Sequence, residues 1–349
     1  MIFFGCNTKK RSFGKNDEIF VVADTMDYYE LEPALVEVFE KVIYTPQPEN
    51  LFTIKRIPFE NFEKVKNKKN VIIIAPLNSS SSTAAYIKKN LSGNLKSLVE
   101  KDSLFVFNKY NLWANDQIVM TLTSPTIEKL NANILSNKND LIYYFQKMSN
   151  QRLASSLYSS VYEKKKDEAE LLKNFGWTIY VQADFQIAKI SKDDNFVWLR
   201  RAANSDMERW IFVSWIDNSS PSLLNIDSLK LIRNKITEKF YRTSDENTYV
   251  RIADNPFEAT VSEVNFNKKY ALLMQGFWQF ADFSGGGPFL SYSFYEPRSK
   301  RLYMIDGSIY APKYFKKDLI LQVDVLLQSF RLQSELTPSR VEELLDELD

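Results

Sequence analysis

The 349-residue chain contains no histidine. That removes Ser-His-Asp and Cys-His catalysis, histidine metal sites and the side chain that titrates nearest neutrality. It has one cysteine, Cys6, so an internal disulfide, a Cys-x-x-Cys redox pair and a thiolate zinc site are excluded. An enzyme built from this inventory works with carboxylates, Lys, Tyr, Ser or Thr, and no cofactor or metal is indicated. No apolar run reaches the roughly 18–20 residues of a membrane span, so the body is read as not transmembrane. The net charge is only +1, which gives no electrostatic case for nucleic acid. Two short basic runs, Lys64 to Lys69 and Lys164 to Lys166, sit beside acidic residues or a turn and read as solvated faces. Glycine is scarce: there are nine, and five of them fall between Gly276 and Gly307. That clustering marks a stretch where the backbone has special needs.

What is present is a globular composition, 44% hydrophobic and 26% charged, in a chain long enough for two domains. Residues 1–16 read as a signal remnant and tether, 17–137 as an N-terminal α/β domain and 138–175 as a helical bridge. Residues 176–331 read as a C-terminal α+β domain and 332–349 as an acidic, weakly helical, mobile tail.

In the first half, Glu18 to Ala23, Leu51 to Ile57, Val71 to Ala75, Leu104 to Phe107 and Gln117 to Leu122 are strand-like. Leu31 to Val42 and Ile87 to Val99 carry apolar residues at helical spacing, and Ser124-Pro125 starts a third helix. The run Val71 to Ile74 is apolar on both faces and belongs at a sheet centre. The order β-α-β-β-α-β predicts a ferredoxin-like split βαβ layer. The second half predicts an antiparallel sheet with packed helices, so the fold class is α+β. Its strands are Trp177 to Val181, Phe185 to Ile190, Phe196 to Arg201, Trp210 to Ile216, Thr260 to Phe266, Tyr270 to Phe280, Leu290 to Glu296 and Arg301 to Tyr310.

At the N-terminus, Met1-Ile2-Phe3-Phe4-Gly5-Cys6 has the order of a lipoprotein signal tail: apolar residues, a small residue, then the thiol that accepts the lipid. Asn7 to Ser12 reads as a polar tether. The stretch before Cys6 is short for a whole signal and Phe3 and Phe4 are bulky, so the alternative is a chance cysteine near a frayed terminus. Lys9-Lys10-Arg11 stands where surface-exported lipoproteins carry acidic residues, which places the body on the periplasmic side, with inner or outer membrane left open.

The candidate site is Phe277, Trp278, Asp282, Gly285, Gly286, Gly287, Pro288 and Phe289 together with Asp306 and Lys313. The Gly285 to Gly287 run has no P-loop or dinucleotide spacing. It reads either as a cradle whose backbone N–H groups meet an anion or a ligand, or as a plain mobile connection, and in both cases substitution is expected to leave melting nearly unchanged. Trp278 and Phe280 share one strand face and Phe277 and Gln279 the other, which makes either core or an aromatic platform. Asp282, Glu296 and Asp306 are a candidate carboxylate group for glycan hydrolysis, provided that they face one another.

Gly276-Phe277-Trp278, Asp282 to Phe289, Ser291-Tyr292, Asp306-Gly307, Tyr310 to Lys313, Gln328 to Phe330 and Pro46 to Glu49 together carry a resemblance. They resemble a group of Bacteroidota envelope lipoproteins known as domain of unknown function 4837, over roughly residues 17–331. The resemblance implies a lipidated envelope protein and supplies no catalytic residue. The second half is also similar in layout to the PsbP/Mog1-type fold, which transfers no function. Three readings follow. The first is a non-enzymatic lipoprotein that binds or assembles envelope proteins or polymers, which a shallow aromatic groove would favour. The second is a carboxylate-based hydrolase of cell-wall or other glycans, which needs two facing carboxylates. The third is a periplasmic lipid or small-ligand carrier, which needs an enclosed apolar pocket.

Overall fold

The computed structural model describes residues 9–45, 47–243, 247–254 and 258–348; Cys6 and Pro46 lie outside them. The chain divides into two compact units. One comprises residues 1–43 and 50–152, the other 44–49 and 153–349. Each is described by itself.

The first unit is built on β1 (Glu18–Val22), α1 (Thr25–Phe39), β2 (Thr53–Ile57), β3 (Asn70–Ile74), α2 (Ser82–Asn90), α3 (Gly93–Glu100), β4 (Val106–Tyr110), β5 (Ile118–Leu122), α4 (Ile127–Ser136) and α5 (Lys138–Leu157). The strand order is β2-β1-β3-β5-β4. The pairs β1–β2, β1–β3 and β3–β5 are parallel, and only β4 runs antiparallel, along β5. The α+β class stands, but this layer is not the expected ferredoxin-like one, whose antiparallel sheet is covered by helices on one face.

The physical reason is burial. All five residues of β3 are buried, and such two-sided apolar strands demand helices on both faces, which parallel crossovers supply. On one face Ile19, Val21, Ile72 and Met120 meet α1, α4 and α5. On the other, Phe20, Val22, Ile73 and Val119 meet Ala84 and Ile87 of α2 and Val99 of α3. The helix α5 is part of this core through Leu141, Ile142, Phe145 and Met148. The expected bridge over 138–175 is therefore not a separate element, because most of α5 packs as a core helix of the first unit.

The second unit contains α6 (Lys165–Phe175), β6 (Phe185–Ser191), β7 (Phe196–Arg201), β8 (Glu208–Ile216), α7 (Ile226–Phe240), β9 (Val250–Ile252), β10 (Thr260–Phe266), β11 (Lys269–Phe280), β12 (Gly286–Glu296), β13 (Arg301–Tyr310), α8 (Lys317–Leu327) and α9 (Pro338–Leu345). Its eight-stranded sheet has the order β9-β11-β12-β13-β8-β7-β6, with β10 also on β11. The helix α7 covers one face over Trp210, Met274, Trp278 and Met304. The helix α8 covers the other over Ile211, Leu290, Ile305 and Ile309.

The tail is ordered, against expectation. Leu344 of α9 is fully buried and packs with Ala169 and Leu172 of α6. Arg340 pairs with Glu163, Glu168 and Glu343. Acidic composition hid an apolar stripe at helical spacing, Val341, Leu344 and Leu348, which docks once α6 supplies a partner.

Candidate functional site

Strand registers bring several loops to one end of the second unit's sheet. Phe185 pairs with Arg201, Arg201 with Arg209, Glu208 with Tyr310, and Gln279 with Gly286. The chain therefore enters β6, β8 and β12 and leaves β7, β11 and β13 at that end. The loops 202–207, 281–285 and 311–316 and the approach to Phe185 all project there.

Beneath these loops, on the α7 face, lies an aromatic assembly. Trp210 stacks within 5° of parallel on Tyr310, with ring centroids 6.2 Å apart. Trp278 lies 5.1 Å from Trp210 and 5.3 Å from Phe280. Trp198 lies 4.7 Å from Tyr241, and the Arg200 guanidinium sits 5.0 Å over the Trp198 ring. Trp210 and Trp278 are buried, whereas Trp198, Phe280 and Tyr310 are half-exposed, so the assembly reaches solvent at its rim. Glu208 organises the rim: its carboxylate accepts from Arg200, Trp210 Nε1 and the Asn204 N–H. Such rings combine large apolar area with a polar edge. The Tyr241 hydroxyl and Trp198 Nε1 are buried without a hydrogen-bond partner. Burial pushes the Tyr241 hydroxyl well above its ordinary range, with the Asp306 carboxylate adding to the shift.

The ten expected body residues do not share one surface. Trp278, Phe289 and Asp306 are buried and face α7. Trp278 Nε1 donates to the Ile309 carbonyl at 3.2 Å. The Arg233 guanidinium lies 3.6 Å over the Phe289 ring. Phe277 is half-buried on the opposite strand face and pairs with the buried Pro288.

Gly286 and Gly287 are residues of β12, opposite Gln279 and Trp278, and not a mobile connection. A Cβ on Gly287 would stand 2.0 Å from the Ile309 carbonyl oxygen, and one on Gly286 2.6 Å from the Trp278 carbonyl oxygen. Close backbone approach requires these glycines, which corrects the expectation of a loop tolerant to substitution. Gly285 is less constrained, with Phe280 side-chain atoms 3.3 Å from such a Cβ. Asp282 and Lys313 are exposed at the sheet end. Asp282 accepts from the N–H and hydroxyl of Ser284, which lowers its pKa. Lys313 pairs with Asp206 at 2.6 Å.

The carboxylate group of the hydrolase reading is not assembled. Asp306 is fully buried and held by Arg233; burial pushes its carboxyl up against the opposing pull of the guanidinium. Glu296 ends the 11-residue β12, so the strand separates it from the Asp282 turn by roughly 30 Å. Among the described residues, no group of three or more His, Cys, Asp or Glu is placed to hold a metal. No described helix is long and apolar enough to cross a membrane. An open cleft of about 530 Å³ lies beyond the Glu296 end, lined by Phe175, Arg298, Arg301, Tyr303 and Gln333 among others. Its charged rim is not the enclosed apolar pocket that a carrier needs.

The sequence pattern singles out Trp278 but not Trp198, Arg200, Glu208 and Tyr310, which join the same assembly. A faint signal exists in β7, where alternation puts Trp198 and Arg200 on one face.

Residues 163–329 match the family model described as Domain of unknown function (DUF4837), so a DUF4837 domain is present in the second unit. Residues 12–158 match a different model, Domain of unknown function (DUF8532). The resemblance expected over 17–331 is thus carried by the DUF4837 model only in the second half. No curated protein matches the chain. Among solved structures, a point mutant of protein Mog1 is similar at 11% identity, covering 45% of this chain and 90% of its own, with a TM-score of 0.28.

Proposed function

We propose that the protein is a non-enzymatic envelope lipoprotein of Bacteroidota, anchored through Cys6, facing the periplasm and binding a partner through the loop end of its second unit. The observation that carries this reading is the aromatic assembly of Trp198, Trp210, Trp278, Phe280 and Tyr310, which reaches the surface beneath loops whose tips expose Phe283 and Phe315. Apolar area of this kind on a water-facing end is the chemistry of recognition. The chain also offers no histidine or thiol pair for catalysis.

The test is photo-crosslinking in native envelopes, with the reactive side chain placed at Phe283, at Phe315 or, as control, at Leu231 on the exposed side of α7. Discrete adducts from the two loop positions and none from Leu231 support the reading. Equal labelling at all three positions, or no adduct to either protein or lipid at the loop tips, overturns it.

A further inference from the structure

The second unit places its most exposed large apolar side chains unevenly. Val161, Phe283 and Phe315 are 81%, 72% and 71% exposed, and all three stand at the same end of the second unit's sheet. Phe283 is at the tip of the turn joining β11 to β12, and Phe315 is in the loop from β13 to α8. Val161 lies in the short helical turn Ser160–Tyr162, which is tied to the approach to β6 because the Ala183 N–H donates to the Tyr162 carbonyl. Tyr162 and Tyr314, 59% and 44% exposed, flank two of these tips. Single exposed apolar residues need no explanation, but convergence at one end does.

Phe283 is also held in the left-handed region at φ +63°, where a bulky residue is an outlier. Asn or Gly would serve this turn better, so the ring is not there for the backbone's sake. Its turn is otherwise well made: the Phe283 N–H donates to the Phe280 carbonyl, and the Phe280 N–H to the Gly285 carbonyl.

Three ion pairs neutralise charge around these tips. Lys313 pairs with Asp206, and Arg201 with Asp184. Arg251, whose guanidinium lies 5.5 Å from the Phe283 ring centroid, pairs with Asp254.

We infer that this end is a shallow membrane-insertion surface whose occupant is the lipid interface itself. The inference rests on the binding-face reading above and names its partner class. A protein partner wants a contiguous, complementary patch. Separate apolar tips on separate loops suit a fluid interface, where each side chain enters independently and aromatic rings settle at the headgroup level. Locally paired charges leave little net field, so the attraction is apolar and does not depend on anionic lipid.

The experiment uses the full chain carrying Cys6→Ser, which removes the anchor, in co-sedimentation with phosphatidylcholine vesicles and with vesicles containing phosphatidylglycerol. Binding to both, unchanged by salt, is expected. Phe283→Ser and Phe315→Ser should each weaken the partition about tenfold, while Leu231→Ser leaves it unchanged. Phe283→Asn should weaken it equally while melting at the same temperature or higher, which separates insertion from folding. Binding to neither vesicle overturns the membrane inference. If protein adducts still form at Phe283 and Phe315, the binding face stands with a different occupant; if no adducts form either, both readings fall. Binding only to anionic vesicles that salt abolishes also overturns the inference, in favour of charge attraction.

Discussion

Arg233 and Asp306 form an ion pair in which both side chains have no solvent exposure. Nε donates to Oδ2 at 2.7 Å and Nη2 to Oδ1 at 3.3 Å. Ser308 closes the cluster by donating to Asp306 Oδ1 at 3.0 Å. The pair joins α7 to the centre of the sheet. A buried pair is costly to break and cheap to replace as a whole. Asp306→Ala should therefore cost about 3–5 kcal/mol by leaving a buried guanidinium uncompensated. Arg233→Met combined with Asp306→Leu should recover most of that loss. Urea unfolding of the single and double variants measures it, and additive losses would contradict the pairing.

The glycines make opposite predictions at neighbouring positions. A Cβ on Gly307 would lie 2.1 Å from Val323 Cγ1 of α8, so the clash is with a side chain. Gly307→Ala should cost roughly 1–3 kcal/mol through overpacking, and Val323→Ala should relieve part of that loss. A double-mutant cycle should show coupling of roughly 0.5–3 kcal/mol. At Gly287 the obstacle is the Ile309 carbonyl oxygen, which no side-chain change can move. Gly287→Ala should therefore melt well below Gly285→Ala, whose neighbours are ring atoms of Phe280. Equal melting of the two variants would contradict the close approach.

Glu168 sets a pH dependence. It is buried beneath the docked tail, accepts from the Val181 N–H at 2.9 Å and pairs with Arg340 at 3.1 Å. Burial raises its pKa from 4.5 to about 8, against the opposing pull of the Val181 hydrogen bond and of Arg340. The folded state therefore holds this proton more tightly than the unfolded state does. The stabilisation is fully present below the unfolded value and is lost as pH rises through the folded one, a window from about 4.5 to about 8. Glu168→Gln should flatten the fall of thermal stability across that window and be the more stable protein at its alkaline end. Parallel melting curves for the two proteins would refute the assignment.

The anchor has its own test. Cys6→Ser, expressed in the native host, should move the protein from the membrane-bound to the weakly associated fraction. External protease should leave the unchanged protein intact in whole cells if the body faces the periplasm. A free Cys6 thiol on a soluble protein would remove the anchor, and rapid digestion in whole cells would reverse the orientation.

Local pattern by itself determined most of the elements. The alternation through Phe196 to Arg201, Arg301 to Tyr310 and Tyr270 to Phe280, and the helical spacing of Leu31 to Val38, mark the observed strands and α1 within a few residues. Apolar periodicity reports which side of an element leaves water, and that is a property of a short window of chain. It does not report what covers that side. Only the tertiary structure decided that the first sheet is largely parallel, because the choice depends on which helices return to which face. Only it placed Asp306 beside Arg233 rather than in a surface group, assigned Gly287 to Ile309 and Gly307 to Val323, and let Leu344 dock on α6. The aromatic assembly is the same case. Trp198, Trp210, Trp278 and Tyr310 come from β7, β8, β11 and β13, and only strand register, set by pairing between distant segments, brings their rings to one end of one face.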